Sequence, residues 1–222
     1  MLTPFADEVW TDTRKAKFWG VECGSRMTIV RLADGGLFVH SPVALDAQTR
    51  QAVDALGEVR AVVAPSIFHH LHVGAWMAAY PKALVAACPG LEWKRTDLAF
   101  SCVLGDVAHE LWDKDLEQIY FSARRENEVV FYHHRSRTFI CADSLLNLST
   151  HASPTTRLVA RVMGNNAPGV GHLERVMIRD RKLARRQMDR ILEWEIDGAI
   201  LAHGESLPHG GHEALRHAYA WL

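Results

Sequence analysis

Pro65-Ser66-Ile67-Phe68-His69-His70-Leu71-His72-Val73-Gly74 puts three histidines into four residues, directly after the apolar run Ala61-Val62-Val63-Ala64. Imidazole is the commonest neutral metal ligand, and two histidines three apart at the end of a strand can converge on one ion. The rest of the chain is informative to the extent that it supplies partners for this cluster.

Two other apolar strands end in the same manner. Thr138-Phe139-Ile140-Cys141-Ala142 runs into Asp143, and Ala199-Ile200-Leu201-Ala202 runs into His203. Each is too apolar to be solvated on both faces, yet each stops on a polar or ionisable side chain. Rigid strands whose following loops aim side chains inward are the usual way an α/β sheet builds a site at one edge. This recurrence predicts a shared site of His69, His72, Asp143 and His203.

The order of elements is layered. Met27 to Leu32 and Leu37 to His40 flank Asp34-Gly35-Gly36 and read as a hairpin. A helix fits Asp46 to Leu56, with Ala52, Val53 and Leu56 on one face and Gly57 as its stop. A second helix fits Ala75 to Tyr80 before Pro81, and a strand fits Ala83 to Ala87. Strands are expected again between Ile119 and Asp143, with Glu128 to His133 and Thr138 to Ala142 paired around Arg135-Ser136-Arg137. A helix over Arg181 to Glu195, a strand over Gly198 to Ala202 and a helix over Glu213 to Leu222 complete the chain. The β-loop-helix-β rhythm marks a layered α/β protein.

Composition narrows the function classes. The 222 residues, 48% of them hydrophobic, predict one domain over 1–222 with a substantial core. A formal net charge of -1 provides no global field to recruit nucleic acid or an anionic membrane. The opening Met1-Leu2-Thr3-Pro4-Phe5-Ala6-Asp7-Glu8 has no basic segment leading into an apolar one, so no secretory leader is predicted. Cys23, Cys88, Cys102 and Cys141 are widely spaced and read as reduced thiols of a cytoplasmic protein. The basic run Arg175, Arg179, Arg181, Lys182, Arg185, Arg186 and Arg190 is interrupted by Glu174, Asp180 and Asp189, and reads as a solvated helix face. An anionic substrate beside that face is the minor alternative. Trp76 is placed to line a pocket next to His72, and His172 sits in a Gly-rich loop of the kind that covers sites.

The histidine segment resembles the metallo-β-lactamase superfamily motif His-x-His-x-Asp-His, which is followed two residues later by Gly. Set on Gly74, its second His falls on His69 and its last on His72, while Ile67 and Leu71 replace the first His and the Asp. Phe139 to Asp143 resembles the family's strand ending in a bridging Asp, and Ile200 to Gly204 its final His strand. Gly36 to Ser41 resembles the first strand, which there usually ends in Asp. The resemblance covers roughly residues 8 to 222 and is nearest an uncharacterised branch in which the motif is eroded. It implies a four-layered αββα sandwich and a metal site. It also implies a loss, since a two-metal site needs the missing positions and no His-x-Pro-Gly-His segment precedes Asp143.

Two His and a carboxylate suffice for one Zn²⁺ with an open position, or for one Fe²⁺. The expected function is therefore a hydrolase acting on a small molecule through a single ion, with Asp143 and His72 as the residues of the chemistry. The alternative is a binding or scaffold protein that kept the fold and lost the metal. A homodimer is compatible with the sequence, and neither a membrane nor a nucleic acid is expected as partner.

Overall fold

The computed structural model describes residues 1–222. The chain runs β1 (Thr3–Ala6), β2 (Val9–Arg14), β3 (Lys17–Phe18), β4 (Val21–Glu22), β5 (Ser25–Arg31) and β6 (Leu37–His40). It continues with α1 (Ala47–Asp54), β7 (Val59–Ala64), α2 (Val73–Ala79), β8 (Leu84–Ala87), α3 (Leu91–Lys94) and β9 (Cys102–Val103). The second half comprises β10 (Leu116–Phe121), β11 (Glu128–His133), β12 (Thr138–Cys141), α4 (Pro154–Val162), α5 (His172–Val176), α6 (Arg181–Ile191), β13 (Gly198–Leu201) and α7 (Gly211–Ala218).

One sheet has the order β1-β2-β5-β6-β7-β8-β9, the other β10-β11-β12-β13, and β3-β4 forms a separate hairpin. Alternation along the strands of the second sheet explains why two sheets meet face to face. Val129, Phe131, Ile140 and Ile200 turn inward and share a core with the first sheet, where Phe38 and His40 meet the Phe131 ring at 5.2 and 5.6 Å between centroids. Their neighbours Val130, Tyr132, Phe139, Cys141, Ala199 and Leu201 turn outward against Met188 and Ile191 of α6 and Leu215 of α7. On the far side, Val53 of α1, Val73 and Trp76 of α2 and Leu91 of α3 cover the first sheet. The layers are helix, sheet, sheet, helix, the expected αββα sandwich.

Asp46 caps α1 by accepting from Thr49 N, so the helix begins at Ala47. The arginine-rich α6 buries Ala184, Gln187, Met188 and Ile191, leaving its charges outside, where Arg185 pairs with Asp189 and Arg190 with Asp106. It stops at Ile191 rather than Glu195 because Trp194 turns in to stack on Tyr132 at 5.4 Å. Two readings change. Trp76 is a core residue: it is fully buried, with Nε1 donating to Val43 O at 2.7 Å. The segments 2–26 and 145–180, which carry no periodic apolar pattern, nevertheless contain β1 to β4, α4 and α5.

Strand pairing positions the site. β12 and β13 are parallel with Ile140 opposite Ile200 and Cys141 opposite Leu201, an offset that brings Asp143 level with His203. Gly204 then turns at φ +76°, and a Cβ there would run into the Asn147 backbone carbonyl. Gly204→Ala should therefore lower stability by about 3 kcal/mol, a drop in Tm of roughly 10 °C for a chain of this size. Thermal unfolding of the variant beside wild type checks this, and an unchanged Tm contradicts the close approach.

Candidate metal centre

His69 lies in the turn joining β7 to α2, Asp143 just beyond β12 and His203 just beyond β13. Their ligand atoms all lie within 4.8 Å of one another. His69 Nε2 and His203 Nε2 are 3.2 Å apart, and each is 3.5 Å from Asp143 Oδ1. Zinc–nitrogen bonds of ~2.0–2.1 Å in tetrahedral geometry require ligand atoms about 3.3–3.4 Å apart, the edge of that tetrahedron. The triangle fits one such ion.

Each donor is held from behind. His203 Nδ1 donates to Gly24 O at 2.7 Å; a carbonyl only accepts, so the Nε2 lone pair of the neutral ring faces the cluster. His69 Nδ1 bonds Ser41 Oγ at 2.8 Å, and Ser66 Oγ donates to the second oxygen of Asp143 at 3.2 Å. Such outer partners fix the ring orientation and the lone-pair direction at a metal. Ser41 adopts φ +53° directly before Pro42, a left-handed conformation that a non-glycine residue rarely takes and that strained positions near functional sites often show. Arg26, almost buried, donates to Leu201 O and, at 2.7 Å, to Gly204 O, clamping the backbone on both sides of His203.

The histidine turn is anchored to the second sheet by Ile67 N donating to Glu126 O at 3.0 Å and Val129 N to Pro65 O at 2.8 Å. Asp143 is set by a buried acid. Glu128 Oε1 accepts from Ala142 N at 2.6 Å and Asp143 N at 3.2 Å, and Oε2 from Ser144 Oγ at 2.5 Å. The hairpin register, Phe131 opposite Ile140, continues to Glu128 opposite Asp143, one residue from the Val129 pairing that turn counting suggests. Beneath this pair, the fully buried Arg124 donates to Glu126 at 2.9 Å and to Tyr219 Oη at 3.3 Å, and Tyr219 Oη donates to Ser144 O at 2.7 Å.

The charges follow from this packing. Burial, then the Asp143 charge, raises the pKa of Glu128, with Arg124 opposing. Burial also works against the Asp143 anion, but the two imidazoles outweigh it and hold that carboxyl well below the usual range. Burial disfavours the His203 cation, and the Asp143 carboxylate and the adjacent Cys23 thiol outweigh it, pushing the pKa up to about 10. In the absence of an ion, the cluster is thus a proton-sharing imidazolium–carboxylate group, and a metal must displace that proton to bind.

Other histidines fall elsewhere. His72 begins α2, is exposed, and is not among the residues whose ligand atoms converge, because the turn from His69 to His72 carries it away from the two strand ends. His70 faces Arg95 Nη1 at 2.9 Å. His172 is exposed at the start of α5, packed over Gly164. His209 pairs with Asp197 at 3.2 Å and His212 with Leu192 O at 3.1 Å. His134, near Glu117 at 3.6 Å, lies at the opposite end of the hairpin from Asp143. Ser41, Ser66, Gly24, Arg26, Arg124 and Glu126 escape a sequence reading, since none belongs to a ligand type at ligand spacing.

The sequence profile of a domain of unknown function (DUF4336) matches residues 6–96, less than half of the chain. No curated protein matches by sequence. Among solved structures, the DIM-1 metallo-β-lactamase exposed to ceftazidime matches at 15% identity and TM-score 0.69, covering 100% of this chain and 96% of that one. The metallo-β-lactamase FIM-1 from Pseudomonas aeruginosa in its mono-zinc form matches at 13% identity and TM-score 0.66, covering 99% and 93%. The metal-soaked Flv1 flavodiiron core from Synechocystis sp. PCC6803 matches at 9% identity and TM-score 0.67, covering 100% and 60%. The chain has the metallo-β-lactamase fold.

Glu128 sets the aim of Asp143 without touching the cluster. Glu128→Gln keeps one acceptor oxygen but loses the charge, and should weaken zinc affinity about 10- to 100-fold with the protein still folded. Competition with a chromophoric chelator measures this, and an unchanged affinity refutes the positioning role.

Proposed function

We propose that this protein is a metal-dependent hydrolase of a small substrate, working with one divalent ion on His69, Asp143 and His203. The supporting observation is the triangle of donor atoms at 3.2, 3.5 and 3.5 Å, a fit to one tetrahedral ion. A zinc or iron ion held by these three residues would supply Lewis acidity for hydrolysis.

The chain's own groups define what surrounds that chemistry. The His69 and His203 rings present Nε2, with Nδ1 tied to Ser41 and Gly24. Asp143 contributes Oδ1 while Ser66 holds Oδ2. The side chains of Asp143 and His203 remain 16% and 17% exposed, so a substrate reaches the centre from solvent on their side. His72 lies outside the coordination group, exposed at the start of α2. All four cysteines are free, in keeping with a reducing compartment and a cytoplasmic location.

The second reading, a binding protein without chemistry, is favoured by Ile67 and Leu71 at two ligand positions of the resembling motif, Leu71 being 75% exposed. Turnover separates the two. Zinc- or iron-loaded protein should hydrolyse a member of an ester, thioester and phosphodiester panel. His69→Ala and His203→Ala should each lower kcat/KM by about 100-fold or more, with far smaller losses in His72→Ala. Loaded wild type without turnover on any of the three classes, or His69→Ala as active as wild type, supports the binding reading instead.

A further inference from the structure

A cleft of about 320 Å³ runs along the outer face of α4, lined by Ser149, Arg157, Leu158, Arg161, Asn165 and Asn166 among others. Arg157 and Arg161 are one helical turn apart, on the same face, with Cβ atoms about 5–6 Å from one another. Arg157 donates Nη1 to His151 O at 2.7 Å and Ala152 O at 3.0 Å, which leaves its other donors turned to the cleft. Arg161 is exposed, and no acidic residue lines the cleft. Leu158 is its only large apolar side chain, so the cleft is built for charge and not for a greasy group.

Its floor is rigid. Asn165, buried, accepts from Leu148 N at 3.0 Å and donates to Leu146 O at 3.3 Å and Gly169 O at 3.2 Å. The segment carrying Ser149 is also hydrogen-bonded to the backbone around His203. Asn147 N donates to His203 O at 3.4 Å, Asn147 Nδ2 to Glu205 O at 3.1 Å, and Ser149 Oγ to Asn147 Oδ1 at 3.2 Å. Ser149 is thus two residues, at most about 7 Å of chain, from the residue paired with the His203 strand end. On its other side α4 is fastened to the β3-β4 hairpin by Thr156 Oγ1 donating to Glu22 O at 2.7 Å. Two residues on, Gly24 O receives His203 Nδ1. The helix carrying both arginines is braced against both struts of His203.

We infer that this cleft is a phosphate-binding subsite for a phosphorylated small molecule, built on the same backbone segments that support His203 of the metal centre. Two guanidinium groups without acidic neighbours favour a dianion over a monoanion, and the fork geometry of arginine suits the several acceptor oxygens of phosphate. The exposed Asn166 adds a side-chain amide donor at the cleft. The use of the cleft to place a substrate rests on the hydrolase reading; the affinity for phosphate does not.

Titration of inorganic phosphate into metal-stripped, full-length protein, followed by ¹H–¹⁵N spectra at constant ionic strength, tests the assignment without contribution from a metal. Saturable shifts are expected at the amides of Ser149 and Asn166. Arg161→Ala should weaken the affinity about tenfold or more, and Arg157→Ala similarly. Arg186→Ala, on the basic face of α6, should leave it unchanged, and acetate should bind more weakly than phosphate. Unsaturable shifts, equal loss in Arg186→Ala, or acetate binding as tightly as phosphate overturns the assignment. Since no ion is present, failure here leaves the metal centre untouched, and failure of the metal centre leaves this result standing.

Discussion

The parallel pairing of β12 with β13 is the constraint on which the site depends. Ile140 faces Ile200 and Cys141 faces Leu201, so the two strands end at the same level, one on Asp143 and the other on His203. A slip of one residue would turn every outward side chain of β13 into the inter-sheet core. The apolar alternation that builds the sandwich therefore also sets the carboxylate beside the imidazole. Arg26 reinforces that level by clamping the carbonyls of Leu201 and Gly204, and Gly204 leaves just enough room for the Asn147 backbone to pass.

The second constraint is electrostatic. Asp143 and Glu128 are neighbouring acids in a region nearly closed to water, an arrangement that costs free energy unless each carboxylate is paired or hydrogen-bonded. Glu128 meets that requirement with two backbone N–H groups and the Ser144 hydroxyl, while Arg124 places a fully buried cation beneath both. Tyr219, just past α7, bridges Arg124 and Ser144, so the end of the chain helps to hold the centre. The outward face of the second sheet thus serves as a charged foundation for Asp143.

Much of this was legible in the residues. Apolar strands ending in His69, Asp143 and His203 pointed to one edge, and the structure draws those three together. The hairpin of Glu128 to His133 with Thr138 to Ala142 was legible, but its register was not, because the turn residues Ser136 and Arg137 leave the pairing ambiguous. His72 resisted, because spacing alone does not distinguish a strand end from a turn that carries the third residue away. The supports of the two imidazoles are a backbone carbonyl and a serine hydroxyl, which carry no signature of residue type. In the stretch from 145 to 180 the apolar residues are interrupted by Gly, Asn and Pro, although Ser153-Pro154, an N-cap followed by Pro at the first helical position, does announce α4.

X-ray absorption at the metal edge of zinc-loaded protein, with the ion counted per chain, tests the central claim most directly. One ion per chain with two imidazole nitrogens and the remaining ligands oxygen, at ~2.0–2.1 Å, is the predicted result. A third imidazole, a sulfur ligand, or no bound zinc would contradict a centre made of His69, Asp143 and His203.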